Sequence, residues 1–149
     1  MLTGTSADEV LIGYAGNDTL MGGGGADTYI FARGGGSDII LNTEHAADED
    51  KVLFCSGIAK DQLWFEQLAD NLKVSIIGTT DSITIGNWYS DAANHVSALQ
   101  TADGTVLTDT DIHNLVAAMA TLIPPSIGQT TLNAVQHQQL DSVITVNWH

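Results

Sequence analysis

Acidic residues fall at every ninth position near the start of the chain: Glu9, Asp18 and Asp27. Each closes a glycine-rich stretch, with Gly4, Gly13 and Gly22 in one slot and Ala7, Gly16 and Gly25 in another. A carboxylate beside a glycine turn offers only oxygen donors, because glycine lets the backbone bend until its own carbonyls approach an ion. Two bare carboxylates about 4 Å apart repel by about 4 kcal/mol at an effective dielectric near 20, and a divalent cation between them reverses that sign. Calcium suits such donors, since it accepts six to eight oxygens in flexible geometry. Magnesium demands tighter octahedral geometry and sheds its water reluctantly, so it fits less well. The chemistry these residues support is coordination.

The elements that must position those acids share the same period. Leu2, Leu11, Leu20 and Tyr29 recur at nine, so the unit reads G-G-x-G-x-D-x-U-x with U a large apolar residue. That spacing is the signature of a calcium-binding parallel β-solenoid in which each repeat is a turn and a short strand. The strands are centred on Val10-Leu11, Thr19-Leu20 and Thr28-Tyr29. Nine residues make half a coil, so turn one (residues 4–9) should stack on turn three (22–27). Turn two (13–18) should stack on a degenerate fourth turn, Arg33-Gly34-Gly35-Gly36-Ser37-Asp38. Stacked strands lie about 4.8 Å apart, which brings the carboxylates of stacked turns together.

Residues 13–20 (Gly-Tyr-Ala-Gly-Asn-Asp-Thr-Leu) and 22–29 (Gly-Gly-Gly-Gly-Ala-Asp-Thr-Tyr) resemble the RTX, or haemolysin-type, calcium-binding repeats of secreted bacterial proteins. The resemblance implies a right-handed parallel β-roll and two to three calcium ions. It also implies ligand sets in which the first and third carbonyls and the Asp of one turn join the second and fourth carbonyls and the Asp of its neighbour. Carried over, one ion is held by Gly13, Ala15 and Asp18 with Gly34, Gly36 and Asp38. A second is held by Gly4, Ser6 and Glu9 with Gly23, Gly25 and Asp27. Turn one departs from the pattern at Ala7 and Glu9, so its site is the one expected to be distorted. A third would join Gly22, Gly24 and Asp27 to an acidic loop ending in Asp50.

Four basic residues against eighteen acidic ones give 149 residues a net charge of −14, yet 44% are hydrophobic. The chain is too apolar for a simple disordered acidic tail and too acidic to favour nucleic acid or an anionic membrane surface. It contains no run of about twenty apolar residues and opens on no basic-then-apolar signal. With one cysteine, Cys55, it has no internal disulfide, and that thiol is expected to be buried and inert. Ions would supply the stabilisation that disulfides give other small secreted domains.

Beyond Asp50 the period fades into a β meander. Strands are expected at 52–55, 62–68, 72–77, 82–88, 96–101 and 105–107, separated by Asp70-Asn71, 78–81 and Asp103-Gly104. Residues 61–65, 81–85, 87–89 and 102–105 also resemble the domain that commonly follows RTX repeats, which caps the apolar end of the roll. Trp64, Trp88 and Tyr89 are read as core or capping residues in preference to a sugar-stacking platform. Thr108-x-x-Asp111 forms a capping box for a helix carrying Ile112, Leu115, Val116, Met119 and Ile123, stopped by Pro124-Pro125. A second amphipathic stretch carries Leu132, Val135, Leu140, Val143 and Ile144. The 124–132 run and the Asn147-Trp148 ending resemble RTX C-termini, which implies recognition by a type I secretion apparatus and an extracellular destination.

The expected organisation is thus a mainly β chain. Residues 1–50 form the repeat roll, 51–108 a β capping region extending it by meander and hairpins, and 109–149 C-terminal α-helices with the export signal. No nucleophile elbow, zinc-protease or phosphate-loop motif occurs, and His45, His95, His113, His137 and His149 lack ligand spacing. The chain is therefore not read as an enzyme. The abrupt start in phase with a repeat suggests a piece of a longer secreted protein with its activity upstream. Two rivals stand beside a calcium-dependent folding and export module. One is a glycan- or surface-binding, adhesin-like roll; the other is the stabilising end of an upstream hydrolase.

Overall fold

The computed structural model describes residues 1–42 and 48–149. Eleven strands are described: β1 (Leu2–Thr3), β2 (Val10–Ile12), β3 (Thr19–Met21), β4 (Thr28–Phe31), β5 (Ser37–Ile40), β6 (Lys51–Phe54), β7 (Leu63–Leu68), β8 (Asn71–Ile76), β9 (Ser82–Ile85), β10 (Ala98–Gln100) and β11 (Val106–Leu107). Two helices follow, α1 (Asp109–Met119) and α2 (Ala134–Asn147).

The repeats fold as their period dictates. Successive strands alternate between two sheets, ordered β1-β3-β5-β9-β8-β7 and β11-β10-β6-β4-β2. The runs β1-β3-β5-β9 and β2-β4-β6-β10 are parallel. Register places like on like: Leu2 pairs with Leu20, Leu20 with Ile40 and Ile40 with Ile85 in one sheet. In the other, Leu11 pairs with Tyr29, Tyr29 with Val52 and Val52 with Leu99. Apart from Leu2, which is exposed, these ladders are buried in one apolar core that reaches to Trp148. Burying each such side chain contributes about 1.5–3 kcal/mol.

Both sheets are mixed, the repeat strands parallel and the meander strands antiparallel; the fold is mainly β, with two sheets and two C-terminal helices, and the expected right-handed β-solenoid is not closed among the described residues. β7, β8 and β9 run antiparallel, as do β10 and β11. The cause is the loss of the nine-residue turn: tight reversals replace it, at Ala69-Asp70 with Ala69 at φ 54° and at Asp103-Gly104 with Gly104 at φ 89°. In the second reversal the Thr101 and Thr105 hydroxyls and the Thr105 N–H bond the Asp103 carboxylate, holding its pKa at about 2. Within the meander, β9 and β10 continue the parallel runs of the repeats.

Thr108 caps α1, its N–H and Oγ1 both donating to Asp111 Oδ2 at 2.9 Å. Ile112, Leu115, Val116 and Met119 face the core as expected, but Ile123 lies beyond the helix and is exposed. The helix already ends at Met119, with Ala120 as its C-cap, well before Pro124. Val135 likewise points outward, while Leu140 and Ile144 are buried. Cys55 is half-buried just past β6, not enclosed as expected. Trp64 and Trp88 are buried, and the Trp88 ring stacks on His95 at 3.8 Å. His45 lies outside the described residues.

Candidate metal centre

Side chains clamp the stacked turns in a repeating way. Asp27 Oδ1 accepts the Glu9 N–H (2.9 Å), Asp38 Oδ1 accepts the Asp18 N–H (2.9 Å) and Asp50 Oδ1 accepts the Asp27 N–H (2.7 Å). Each lower carboxylate therefore ties itself to the turn above and keeps its second oxygen for other work. A reciprocal bond runs downward one position earlier: Asp8 Oδ1 accepts from Ala26 N–H and Asn17 Oδ1 from Ser37 N–H. Turn one thus lies on turn three, and turn two on turn four. The second pair is offset by twenty residues instead of eighteen, since Leu20 pairs with Ile40.

Between turns two and four, Gly13, Asp18 and Asp38 come together. A methyl group built on Gly13 would stand 3.1 Å from both Asp18 Oδ2 and Asp38 Oδ2. Only glycine leaves that space to the two carboxylates. Ala15 is exposed at the rim. Gly34 and Gly36 turn their amides to Asp81, and the Gly36 carbonyl accepts the Ser82 N–H at 2.9 Å, so it faces β9 and not turn two. The carbonyl against Gly36 from above is that of Gly16.

Between turns one and three, Glu9 bends back on its own turn. Its Oε2 accepts the Thr5 N–H (2.8 Å) and its Oε1 the Thr5 hydroxyl (2.5 Å). The carbonyls that face across are those of Thr5, bonded to Gly24 N–H at 2.9 Å, and of Gly22, pressed against Gly4. Gly23 and Gly25 lie directly under the Thr5 and Ala7 backbone, and Ser6 is exposed. Gly23 and Gly25 of the expected set thus stack directly under turn one, while Glu9 is turned back onto Thr5 and away from Asp27. Alternate peptide planes point up and down, and a nine-residue period cannot say which half faces the neighbour.

Below turn three, Asp27 and Asp50 are almost fully enclosed, at 0% and 1% exposure. Gly22 closes on Asp27 Oδ2 so tightly that no Cβ fits, and its N–H donates to the Tyr29 hydroxyl oxygen (2.9 Å). Gly24 donates its own N–H up to turn one. Among the described residues, Oδ2 of Asp27, Asp48 and Asp50 is buried without a hydrogen-bond partner. Orphaned buried carboxylate oxygens are costly unless a cation satisfies them. No three His, Cys, Asp or Glu side chains gather closely enough among the described residues to hold a metal by themselves. An ion here would need backbone carbonyls for most of its shell, which fits calcium and not a soft transition metal.

The same geometry perturbs the acids. Burial is the first cause that raises Asp27, Asp38 and Asp50 above the ordinary value of 3.8, and neighbouring carboxylates add to it, while the amide bond each accepts opposes it. A carboxyl raised in the folded state binds its proton more readily folded than unfolded, so its contribution is complete below 3.8 and is lost as pH rises through the raised value. In chelator, the urea midpoint should climb as pH falls from 7 toward 4. Below 3.8 it should turn over, because Asp103 and Asp111 are held low and lose their bonds there. A midpoint that falls steadily from pH 7 would contradict the crowding of these acids. With calcium present the trend should invert, since protons and the ion compete for the same oxygens.

Stacked strand repeats joined by acidic glycine turns define a repeat protein whose turns offer oxygen donors to a hard cation. Residues 3–40 match the family described as RTX calcium-binding nonapeptide repeat (4 copies), and residues 71–111 match the haemolysin-type calcium binding protein related domain. The chain is an RTX-type protein, and its repeats are calcium-binding repeats. Sequence reasoning missed Asp8, Asn17 and Asp81. The signal for Asp81 was present: Asp81-Ser82-Ile83 repeats the acid-hydroxyl-apolar order of Asp18-Thr19-Leu20 and Asp27-Thr28-Tyr29.

Proposed function

We propose that this chain is a calcium-dependent folding module of a secreted protein, a β-roll exported unfolded through a type I apparatus and closed by calcium outside the cell. The observation that carries it is that Oδ2 of Asp27, Asp48 and Asp50 is buried and has no hydrogen-bond partner among the described residues. Without a divalent ion they repel one another and disfavour the fold. With one, the charge that opposed folding becomes the ligand.

Asp18 and Asp38 with turn carbonyls form one proposed site, and Asp27 and Asp50 with turn carbonyls another. The set led by Glu9 is the weakest, because both its oxygens are already bonded within turn one. Bound calcium would supply only a divalent charge and a coordination shell; no reaction is catalysed. The expected dissociation constants are those of extracellular modules, about 10⁻⁴–10⁻³ M. At ten times the dissociation constant each site adds about 1.4 kcal/mol. In the division proposed here, residues 1–50 bind the ions, 51–108 extend and cap the roll, and 109–149 carry the export signal. Among the described residues no helix is long and apolar enough to cross a membrane. The adhesin-like alternative gains little, because the rings of Trp64 and Trp88 are packed inside.

The test is a calcium titration followed by far-ultraviolet circular dichroism, with magnesium as control. β-structure should rise with calcium from a partly folded baseline, fall back with chelator and respond weakly to magnesium. Asp18→Ala and Asp38→Ala should each raise the midpoint, and Glu9→Ala should raise it less. Full β-structure in chelator at neutral pH, unchanged by calcium, would overturn the reading.

A further inference from the structure

Asp81 stands outside the nonapeptide match and inside the second matched region. It is buried beneath turn four, at the point where the chain enters β9. Its Oδ2 accepts the Gly34 N–H at 2.8 Å and its Oδ1 accepts the Gly36 N–H at 3.1 Å. This differs in kind from the acids above it. Asp27 and Asp50 each spend one oxygen on an amide and leave Oδ2 without a partner among the described residues, whereas both oxygens of Asp81 are taken. Asp81 is thus built to hold a turn and not an ion.

The turn it holds most needs holding. Gly34 and Gly36 both lie in the left-handed region, at φ 79° and 87°, in a stretch with three consecutive glycines. Glycine turns lose more conformational freedom on ordering than any other sequence. The turn is also the irregular one, two residues longer than its predecessors in the stacking register. Above, it is pinned by Asn17 to the Ser37 N–H and by Asp38 to the Asp18 N–H. Below, the Ser82 N–H bonds Gly36 and the Thr79 hydroxyl bonds the Asp81 N–H, so the carboxylate itself is steadied by its own turn.

We propose that Asp81 is the positioning residue of the last glycine turn, ordering Gly34–Gly36 from below so that Asp38 meets Asp18 in register and the ion site they share reaches its affinity. This rests on the reading of Asp18 and Asp38 as a calcium pair given above. It makes the second matched region a working part of the last repeat site, beyond a cover for the apolar end.

The experiment follows amide resonances of the full chain, assigned turn by turn, through a calcium titration of the wild type, Asp81→Ala, Asp81→Asn and Asp38→Asn. Asp81→Ala should raise the calcium midpoint of the turn-two and turn-four resonances about tenfold. It should speed hydrogen exchange at Gly34 and Gly36, and leave the midpoint of the Asp27 and Asp50 resonances within twofold. Asp81→Asn keeps one carbonyl acceptor and should fall between. A structural loss alone would raise both sets of midpoints together, and that result would overturn the proposal. So would an unchanged turn-four midpoint in Asp81→Ala while Asp38→Asn raises it. If Asp38→Asn also changes nothing, the failure belongs to the reading of the Asp18–Asp38 pair. Should Asp81→Ala not fold in calcium, the Asp81→Asn comparison decides between the same outcomes.

Discussion

Replacing Asp27 with Asn should stabilise the calcium-free protein and cripple its response to calcium, two effects of opposite sign from one atom. Asp27 is fully buried, bonded through Oδ1 to the turn above and through its N–H to Asp50 below. Its Oδ2 has no partner among the described residues, and Asp50, Glu9 and Asp8 all bear on it. Asparagine keeps the Oδ1 acceptor for the Glu9 amide and replaces the orphaned charged oxygen with an uncharged amide nitrogen. In chelator that should stabilise by on the order of 1–3 kcal/mol, the size of an unsatisfied buried polar group. With calcium the substitution deletes a charged ligand at the centre of the stack, and removing one partner of a buried charge pair costs about 3–5 kcal/mol. The calcium midpoint should therefore rise by roughly a hundredfold to a few thousandfold. Urea unfolding in chelator and in millimolar calcium measures both halves. Destabilisation in both conditions would mean that Asp27 serves packing alone, and equal calcium midpoints would remove it from the ligands.

The repeats were the most legible part of this chain because one period fixes several things together. Leu11 over Tyr29 and Leu20 over Ile40 follow from spacing, and with them the stacking of Asp18 on Asp38. What spacing could not supply was direction. Whether the carbonyl of Gly16 or of Gly36 enters the gap depends on which peptide planes point up, and every ninth residue repeats regardless.

Past Phe54 the signals became local, and local signals were read well where a turn residue forces the chain, as at Asp103-Gly104. They were read poorly where only a long-range partner decides, as where β9 returns to β5 and brings Asp81 beneath Gly34 and Gly36. The helical period also runs further in the sequence than the helices do in the fold. Ile123 and Val135 continue the apolar pattern in sequence but are exposed, because the first helix ends at Met119 and the second turns a different face to the core.

Two glycines in the same turn should respond very differently to the same added methyl group. Gly34 and Gly36 both hold positive φ, so alanine at either position meets the left-handed penalty of about 1–2 kcal/mol. At Gly34 that is the whole cost, since nothing lies within 4 Å of the new Cβ. At Gly36 the Cβ runs into the backbone carbonyl of Gly16 on the turn above, with the Asn17 side chain 3.0 Å away. Neither neighbour can yield cheaply: one is main chain, and the other is fixed by its bond to the Ser37 N–H. Turn four would have to drop away from turn two, stretching the Asp18–Asp38 clamp. Gly36→Ala should then cost about 3 kcal/mol or more, in the range of severe overpacking. In calcium, Gly34→Ala should lower the melting temperature by about 2–8 °C and Gly36→Ala by about 6–12 °C or more. Gly36→Ala should also weaken calcium binding, because the distance between the paired carboxylates is what it changes. Equal losses at the two positions would show that the turns are not in contact through Gly16, and the carboxylates they carry could not then share one ion.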